Sequence, residues 1–170
     1  MGVQSNGEWL FDWPIDAPHQ LTRGFVNDGN GLDLVTTAVQ SSGLKPIYAA
    51  ESGYVDQLQY WDGRTKTGMQ SYGNMVRLNH GQFDGGLLQS RYGHMSRILV
   101  KQKQNVYRGQ IIGYMGATGN ATGQHLHFEV IWKGRRYNPL NWLDDDFVNK
   151  YASVANGAYH SVKRDSKATL

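Results

Sequence analysis

The sequence predicts an all-β fold, mostly antiparallel, as a sheet or a small β-sandwich. Three observations predict it. Glycine supplies 21 of the 170 residues, about 12% against roughly 7% in average proteins. Charged side chains are only 18% of the chain, against roughly 25%, while Trp, Tyr and Phe together number 20. Short apolar runs alternate with turn signals along most of the length, which is the pattern of many short strands rather than of a helical bundle or coiled coil. The aromatic content also opposes wholesale disorder, and the glycines lack the three-residue period of collagen.

In chain order, residues 1–20 read as an irregular arm with aromatic anchors at Trp9, Phe11 and Trp13, where Pro14 and Pro18 oppose regular structure. One domain follows, from residue 21 to about 147. Its expected strands lie at Leu21–Val26, Leu32–Val35, Pro46–Ala50, Tyr54–Leu58, Asn74–Asn79, Leu88–His94, Ile111–Tyr114 and His125–Trp132. Turn signals at Asp62-Gly63, Asp84-Gly85-Gly86, Gly116–Gly119 and Lys133-Gly134 separate many of them. After Pro139, residues 141–147 are expected to form a short helix, and residues 148–170 read as a polar tail.

Composition excludes several functions. With no cysteine, neither a disulfide scaffold nor a Cys-ligated zinc site is possible. No apolar run approaches the roughly 18 residues of a membrane span. The first eight residues show no signal peptide. A net charge of +3 allows weak attraction to polyanions such as DNA, teichoic acid or anionic lipid. The basic residues are scattered, apart from Arg135-Arg136 and Lys163-Arg164, and carry no nucleic-acid-binding motif. Oligomeric state is not legible.

The sharpest local feature is His125-Leu126-His127. On a strand, side chains two apart share a face, so both imidazoles project together while Leu126 and Phe128 enter a core. Two imidazoles on one face suit metal ligation, or a division into one ligand and one proton carrier. Glu129 falls on the same face and suits orienting a histidine. The stretch Gly113–Gly123 leads into the pair as a glycine-rich loop fit to line a cleft, but it has neither the Gly-Lys-Ser/Thr of a phosphate loop nor a following helix. His94 stands near the end of an expected strand, and Asp33 lies between apolar neighbours, where a carboxylate needs a cation, a metal or backbone donors. His80 reads as structural; His19 and His160 read as solvent-exposed.

Taken together, Gly31-Leu-Asp33, Tyr72-Gly-Asn-Met-Val-Arg-Leu-Asn-His80, Tyr92-Gly-His-Met95 and Gly109–Glu129 resemble the lysostaphin-type zinc endopeptidases, the LytM-domain family, over about residues 21–143. Asn138-Pro139 is similar to that family's closing segment. The resemblance implies a small antiparallel β-sandwich with a groove over one sheet, one zinc ion, and hydrolysis of peptide cross-links in bacterial peptidoglycan. It implies Asp33 and His127 as zinc ligands and His94 and His125 as catalytic histidines. It further implies an extracellular, cell-wall-associated or phage-borne location.

One position departs from the family pattern. The family's first zinc ligand is a histidine four residues before the aspartate, and here that position is Gly29. Catalytic zinc normally takes three protein ligands. Substitutes within reach in sequence are Asp28, Asn27 and Asn30, with His19 in the arm. The alternative is a catalytically impaired module that binds cell wall or a partner protein through the same groove. There is no His-Glu-x-x-His helix to supply a glutamate base, so His94 or His125 is expected to take the proton of the attacking water. Tyr60, Trp61, Tyr72 and Tyr114 are candidate stacking surfaces for peptide or sugar.

Overall fold

A computed structural model describes residues 10–144. Its strands are β1 (Gln20–Arg23), β2 (Leu32–Val35), β3 (Pro46–Tyr48), β4 (Gly53–Gln59), β5 (Asn74–Phe83), β6 (Gly86–Ile98), β7 (Asn105–Val106), β8 (Ile111–Met115), β9 (Leu126–Trp132) and β10 (Arg135–Tyr137). A single helical turn, α1 (Phe25–Asp28), and two 3₁₀ turns at Gly68–Tyr72 and Pro139–Asn141 complete it. All strand pairs are antiparallel, in the order β1-β2-β9-β6-β5-β4-β7, with β10 on β9 and the β3–β8 pair attached through β6. The expected all-β architecture is thus present, and its strands form one hydrogen-bonded sheet.

β6 organises this sheet. Its first half, Leu88–Gly93, pairs with β9, and its second half, Met95–Ile98, pairs with β8. The change of partner falls on His94, whose φ of 60° is rare for a residue with a side chain. β9 alternates as its sequence implies. Leu126, Phe128 and Val130 enter the core, where Phe128 meets Phe11 edge-on and packs against Tyr92, while His127 and Glu129 face the other way.

The arm is irregular, yet Leu10, Phe11, Trp13 and Ile15 belong to the same core as the sheet. Phe11 stacks on Trp142, and backbone hydrogen bonds run from Phe11 N–H to the Trp142 carbonyl, from Asp12 N–H to Ala50 and from Tyr48 N–H to Pro14. Trp9, and the expected helix and tail beyond residue 144, lie outside the described residues. A 3₁₀ turn at Pro139–Asn141, capped by the Asn138 side chain accepting from Leu140 N–H, reaches only the first residue of that expected helix, and residues 142–144 are not helical. β7 and β10 were not expected; at two and three residues they are too short to show a period.

The strand expected over Leu21–Val26 ends at Arg23, and the chain turns through α1 instead. Gly29 caps that turn in the left-handed region, φ 87°, with its N–H on the Phe25 carbonyl at 2.7 Å. Asp28 then holds the N–H groups of Asn30 and Gly31 with Oδ1, at 3.1 and 3.0 Å. Gly31 lies so close to β9 that a Cβ there would overlap the Phe128 carbonyl oxygen. This loop delivers Asp33 opposite His127 in the β2–β9 register.

Candidate metal centre

The β2–β9 pairing does most of the positioning. Asp33 Oδ1 lies 3.1 Å from His127 Nδ1 and 3.5 Å from His125 Nε2. Asp28 Oδ2 lies 3.7 Å from the same His127 nitrogen. Ligand atoms of Asp28, Asp33 and His127 all fall within 4.8 Å of one another. Donors bound to one zinc ion at about 2.1 Å in tetrahedral geometry stand roughly 3.4 Å apart. The two measured nitrogen–oxygen separations bracket that value, and carboxylate and imidazole are both suitable donors, so the residues present fit a divalent cation.

His127 is held from both sides. Its Nε2 is 2.8 Å from Glu129 Oε2, which fixes the ring and leaves Nδ1 turned towards the two aspartates. Glu129 is fully buried and also accepts from Tyr72 Oη, Arg91 and Arg136. Burial opposes charge on His127, but its hydrogen bonds to Asp33 and Glu129 prevail and raise its pKa to about 9. Burial likewise opposes charge on both carboxylates. Hydrogen bonds from His125 and His127 nevertheless hold Asp33 well below the carboxylate range, and His127 and Tyr72 help bring Glu129 down to about 2.

The remaining two histidines differ electrostatically. His94 donates Nδ1–H to the Thr118 carbonyl at 2.7 Å, leaving Nε2 without its proton when the ring is neutral. Burial lowers its pKa to about 4. His125 pairs Nδ1 with the Gly123 carbonyl at 2.9 Å, and its pKa is raised, the Asp33 hydrogen bond outweighing burial. The His94 ring is 4.7 Å from that of His125 and 5.9 Å from that of His127, centroid to centroid. The glycine-rich stretch supports His94 from behind: Thr118 Oγ1 donates to the Met95 carbonyl and accepts from Asn74 N–H. Gly119 packs against Gly73 and the Ser71 carbonyl too tightly for any side chain.

The site opens as two hollows of about 360 Å³ each, sharing Arg23 and Asp33 as a common wall. His94, His127, Asp28 and Tyr72 line one; His125 and Gly123 line the other. Five of the sequence-derived candidates, Asp28, Asp33, His94, His125 and His127, therefore come together. His19 does not. It is buried rather than solvent-exposed, stacked on Trp13 at 4.2 Å with Nε2 on the Ile15 carbonyl. It lines a separate cavity of about 780 Å³ with Phe11, Tyr48 and Arg108. As a substitute ligand it is corrected: the stacking and the hydrogen bond tie it to the arm. His80, read as structural, is buried within β5 between the Ser52 carbonyl and Ser90 Oγ; His160 lies outside the described residues. Of the aromatics, Tyr60 is exposed, Trp61 bonds the Thr65 carbonyl, and Tyr72 serves Glu129 through its hydroxyl. Arg91, which pairs with the buried Glu129 at 3.0 Å, was missed, because its neighbours Gln89, Ser90 and His94 are polar and give no sign that the strand is buried.

Comparison with known proteins identifies relatives of this chain. The chain is 48% identical over 68 residues to the peptidoglycan DD-endopeptidase ShyA of Vibrio cholerae, covering 40% of this chain and 15% of that protein. It is 34% identical over 132 residues to the murein hydrolase activator NlpD of Escherichia coli, covering 77% and 30%. The chain thus spans less than a third of either relative. A zinc-containing peptidase from Vibrio cholerae of known structure superposes with a TM-score of 0.58 at 29% identity, covering 77% of this chain and 39% of that one. The sequence model of peptidase family M23 matches residues 29–139, from the capping glycine of the metal loop to the final turn. The chain belongs to peptidase family M23.

Proposed function

We propose that this domain is a metal-dependent endopeptidase that hydrolyses peptide bonds in bacterial peptidoglycan, with zinc bound by Asp33 and His127 and with His94 and His125 as its acid–base pair. The observation that carries this reading is geometric: the His94 and His125 rings stand 4.7 Å apart beside the Asp33–His127 pair, where Asp33 Oδ1 lies 3.1 Å from His127 Nδ1 and 3.5 Å from His125 Nε2. Zinc, when bound, lowers the pKa of its water and polarises a carbonyl. His94, with Nδ1–H committed to Thr118, keeps Nε2 as an acceptor for a proton of the attacking water. His125 has a donor on Nε2 when protonated, suited to stabilising the developing oxyanion or protonating the leaving amine. Asp33 stabilises that charged imidazole, and Glu129 fixes the orientation of His127.

The substrate class follows from relatives named for action on peptidoglycan. Such a substrate implies work in the cell wall or outside the cell, by a bacterial or phage-borne protein. A second reading is favoured by one observation, Gly29 in place of the family's first ligand: the groove binds wall or a partner protein without cutting. One experiment separates the two. Purified peptidoglycan of several cross-bridge types is digested and its soluble fragments and new amino termini are counted. The endopeptidase reading expects release that chelator abolishes and that His94→Ala or His125→Ala lowers by roughly 10²-fold or more. No release from any wall type, with wall binding that survives chelator, would establish the second reading instead.

A further inference from the structure

The metal loop differs from the family pattern in a way that changes the donor set. We propose that Asp28 is the third protein ligand, one residue ahead of the position where the family carries its imidazole, and that two carboxylates and one imidazole make the site less selective for zinc over manganese(II). This rests on the reading of Asp33 and His127 as ligands and extends it to the missing member.

Four features support Asp28. Its side chain is only 8% exposed although it belongs to a surface turn. Its two oxygens have separate tasks: Oδ1 is taken by the N–H groups of Asn30 and Gly31, while Oδ2 turns to His127 Nδ1. The loop is fixed at both ends, by the Gly29 cap on α1 and by the contact of Gly31 with β9. His127 Nδ1 itself is buried and aimed between two carboxylates, a direction imposed by Glu129 from behind. A turn-stabilising aspartate needs only Oδ1, which leaves Oδ2 facing Arg23 on one side and His127 Nδ1 on the other. The competing cation is Arg23, whose Nη1 is 3.6 Å from Oδ2 while its Nη2 donates to the Asn27 carbonyl at 2.8 Å; its side chain is 53% exposed, so the ion pair itself contributes little.

The metal preference follows from donor chemistry. Imidazole suits zinc, whereas carboxylate suits manganese as well. Exchanging an imidazole for a carboxylate also raises the negative charge of the site by one, which favours any divalent ion and weakens discrimination by softness.

The test is titration calorimetry of the metal-stripped protein with zinc chloride and, separately, manganese chloride. Asp28→Asn keeps an oxygen for Asn30 and Gly31, so the loop and the melting temperature should persist. Loss of an outer-shell partner alone costs roughly 10–100-fold in metal affinity; loss of a direct ligand should weaken zinc by about 100-fold or more, and manganese by a larger factor. Undiminished zinc affinity in Asp28→Asn would overturn the assignment, while Asp33→Asn, measured beside it, still reports on the underlying reading. Equal losses for the two metals would overturn the preference. A native protein that binds neither metal would remove the metal site altogether.

Discussion

Glu129 has two carboxylate oxygens, and four groups converge on them. Tyr72 Oη at 2.6 Å and His127 Nε2 at 2.8 Å meet Oε2; Arg91 at 3.0 Å and Arg136 at 3.1 Å meet Oε1; the Arg91 guanidinium also lies over the Tyr72 ring, 4.9 Å from its centroid. Because Glu129 and Arg91 are both buried, removing the negative charge strands a cation with little water to screen it. Glu129→Gln is therefore expected to destabilise the domain by about 3–5 kcal/mol, read from the denaturant midpoint. It should also weaken metal binding by roughly 10–100-fold, because Nδ1 of His127 then loses its fixed direction. Gly29 makes the opposite kind of residue-scale case. A Cβ there meets nothing within 4 Å, so space is available, but φ is 87°. Gly29→His should cost about 1–2 kcal/mol in backbone strain and lower the melting temperature by a few degrees. If Asp28 already serves the site, calorimetry should show little gain in zinc affinity from the added imidazole.

At the scale of elements, the site is assembled where strands change partners. β6 leaves β9 and joins β8 at His94, and β8 ends at the bridge between Gly116 and His125. A Cβ at Gly116 would overlap the backbone nitrogen of Ser96, so this crossing is closed to any side chain. Gly116→Ala must push β8 from β6, and His125, whose N–H bonds the Gly116 carbonyl at 3.1 Å, moves with it. A stability loss of about 1–3 kcal/mol is expected, with the proposed release of peptidoglycan fragments falling further than stability accounts for; a variant that matches the parent in that assay would refute the coupling. These junctions also mark the limit of what sequence discloses. The alternation of His125, His127 and Glu129 is a period-two signal within one strand, and it was legible. So was Asp33, because a carboxylate between Leu32 and Leu34 demands a partner. The positive φ of His94, the interlocked Gly73 and Gly119, and the Asp28 turn depend on contacts between segments distant in the chain or on one local bend that cut an apolar run short. No periodicity encodes them. His19 shows the converse: its residue type suits a ligand, but Trp13 and the Ile15 carbonyl claim the ring.

Across the whole molecule, the two faces of the sheet place their polar groups under different rules. The site face keeps charged groups in mutual contact beside open hollows, whereas the polar groups around His80 on the core face are neutral and paired. His80 is the centre of that second arrangement. It is 3% exposed, touches Phe11 with ring centroids 5.2 Å apart, and holds the Ser52 carbonyl and Ser90 Oγ at 2.9 and 2.7 Å. Ser90 in turn pairs with Tyr92 Oη, which accepts from Ala50 N–H. The network thus joins β5, β6 and the end of β3. Protonation would turn the nitrogen facing Ser90 from an acceptor into a donor and place a charge among apolar neighbours. Burial accordingly lowers the His80 pKa to about 4, against the pull of Ser52 and Asp56 in the other direction. Between about pH 6.5 and 4 the unfolded chain binds the proton that the folded chain refuses, so this group's stabilising effect falls as pH falls through that window. Above 6.5 both states are neutral and the full effect is present; below 4 both are charged and nothing more is lost. The difference of about 2.5 pH units corresponds to roughly 3 kcal/mol. His80→Phe should lower stability at pH 7.5, because Ser52 and Ser90 lose their partner, but the deficit relative to the native protein should shrink by about that amount at pH 4. Denaturant unfolding of both proteins across this range measures the difference directly. Parallel pH profiles would show that His80 does not set the acid sensitivity of the fold.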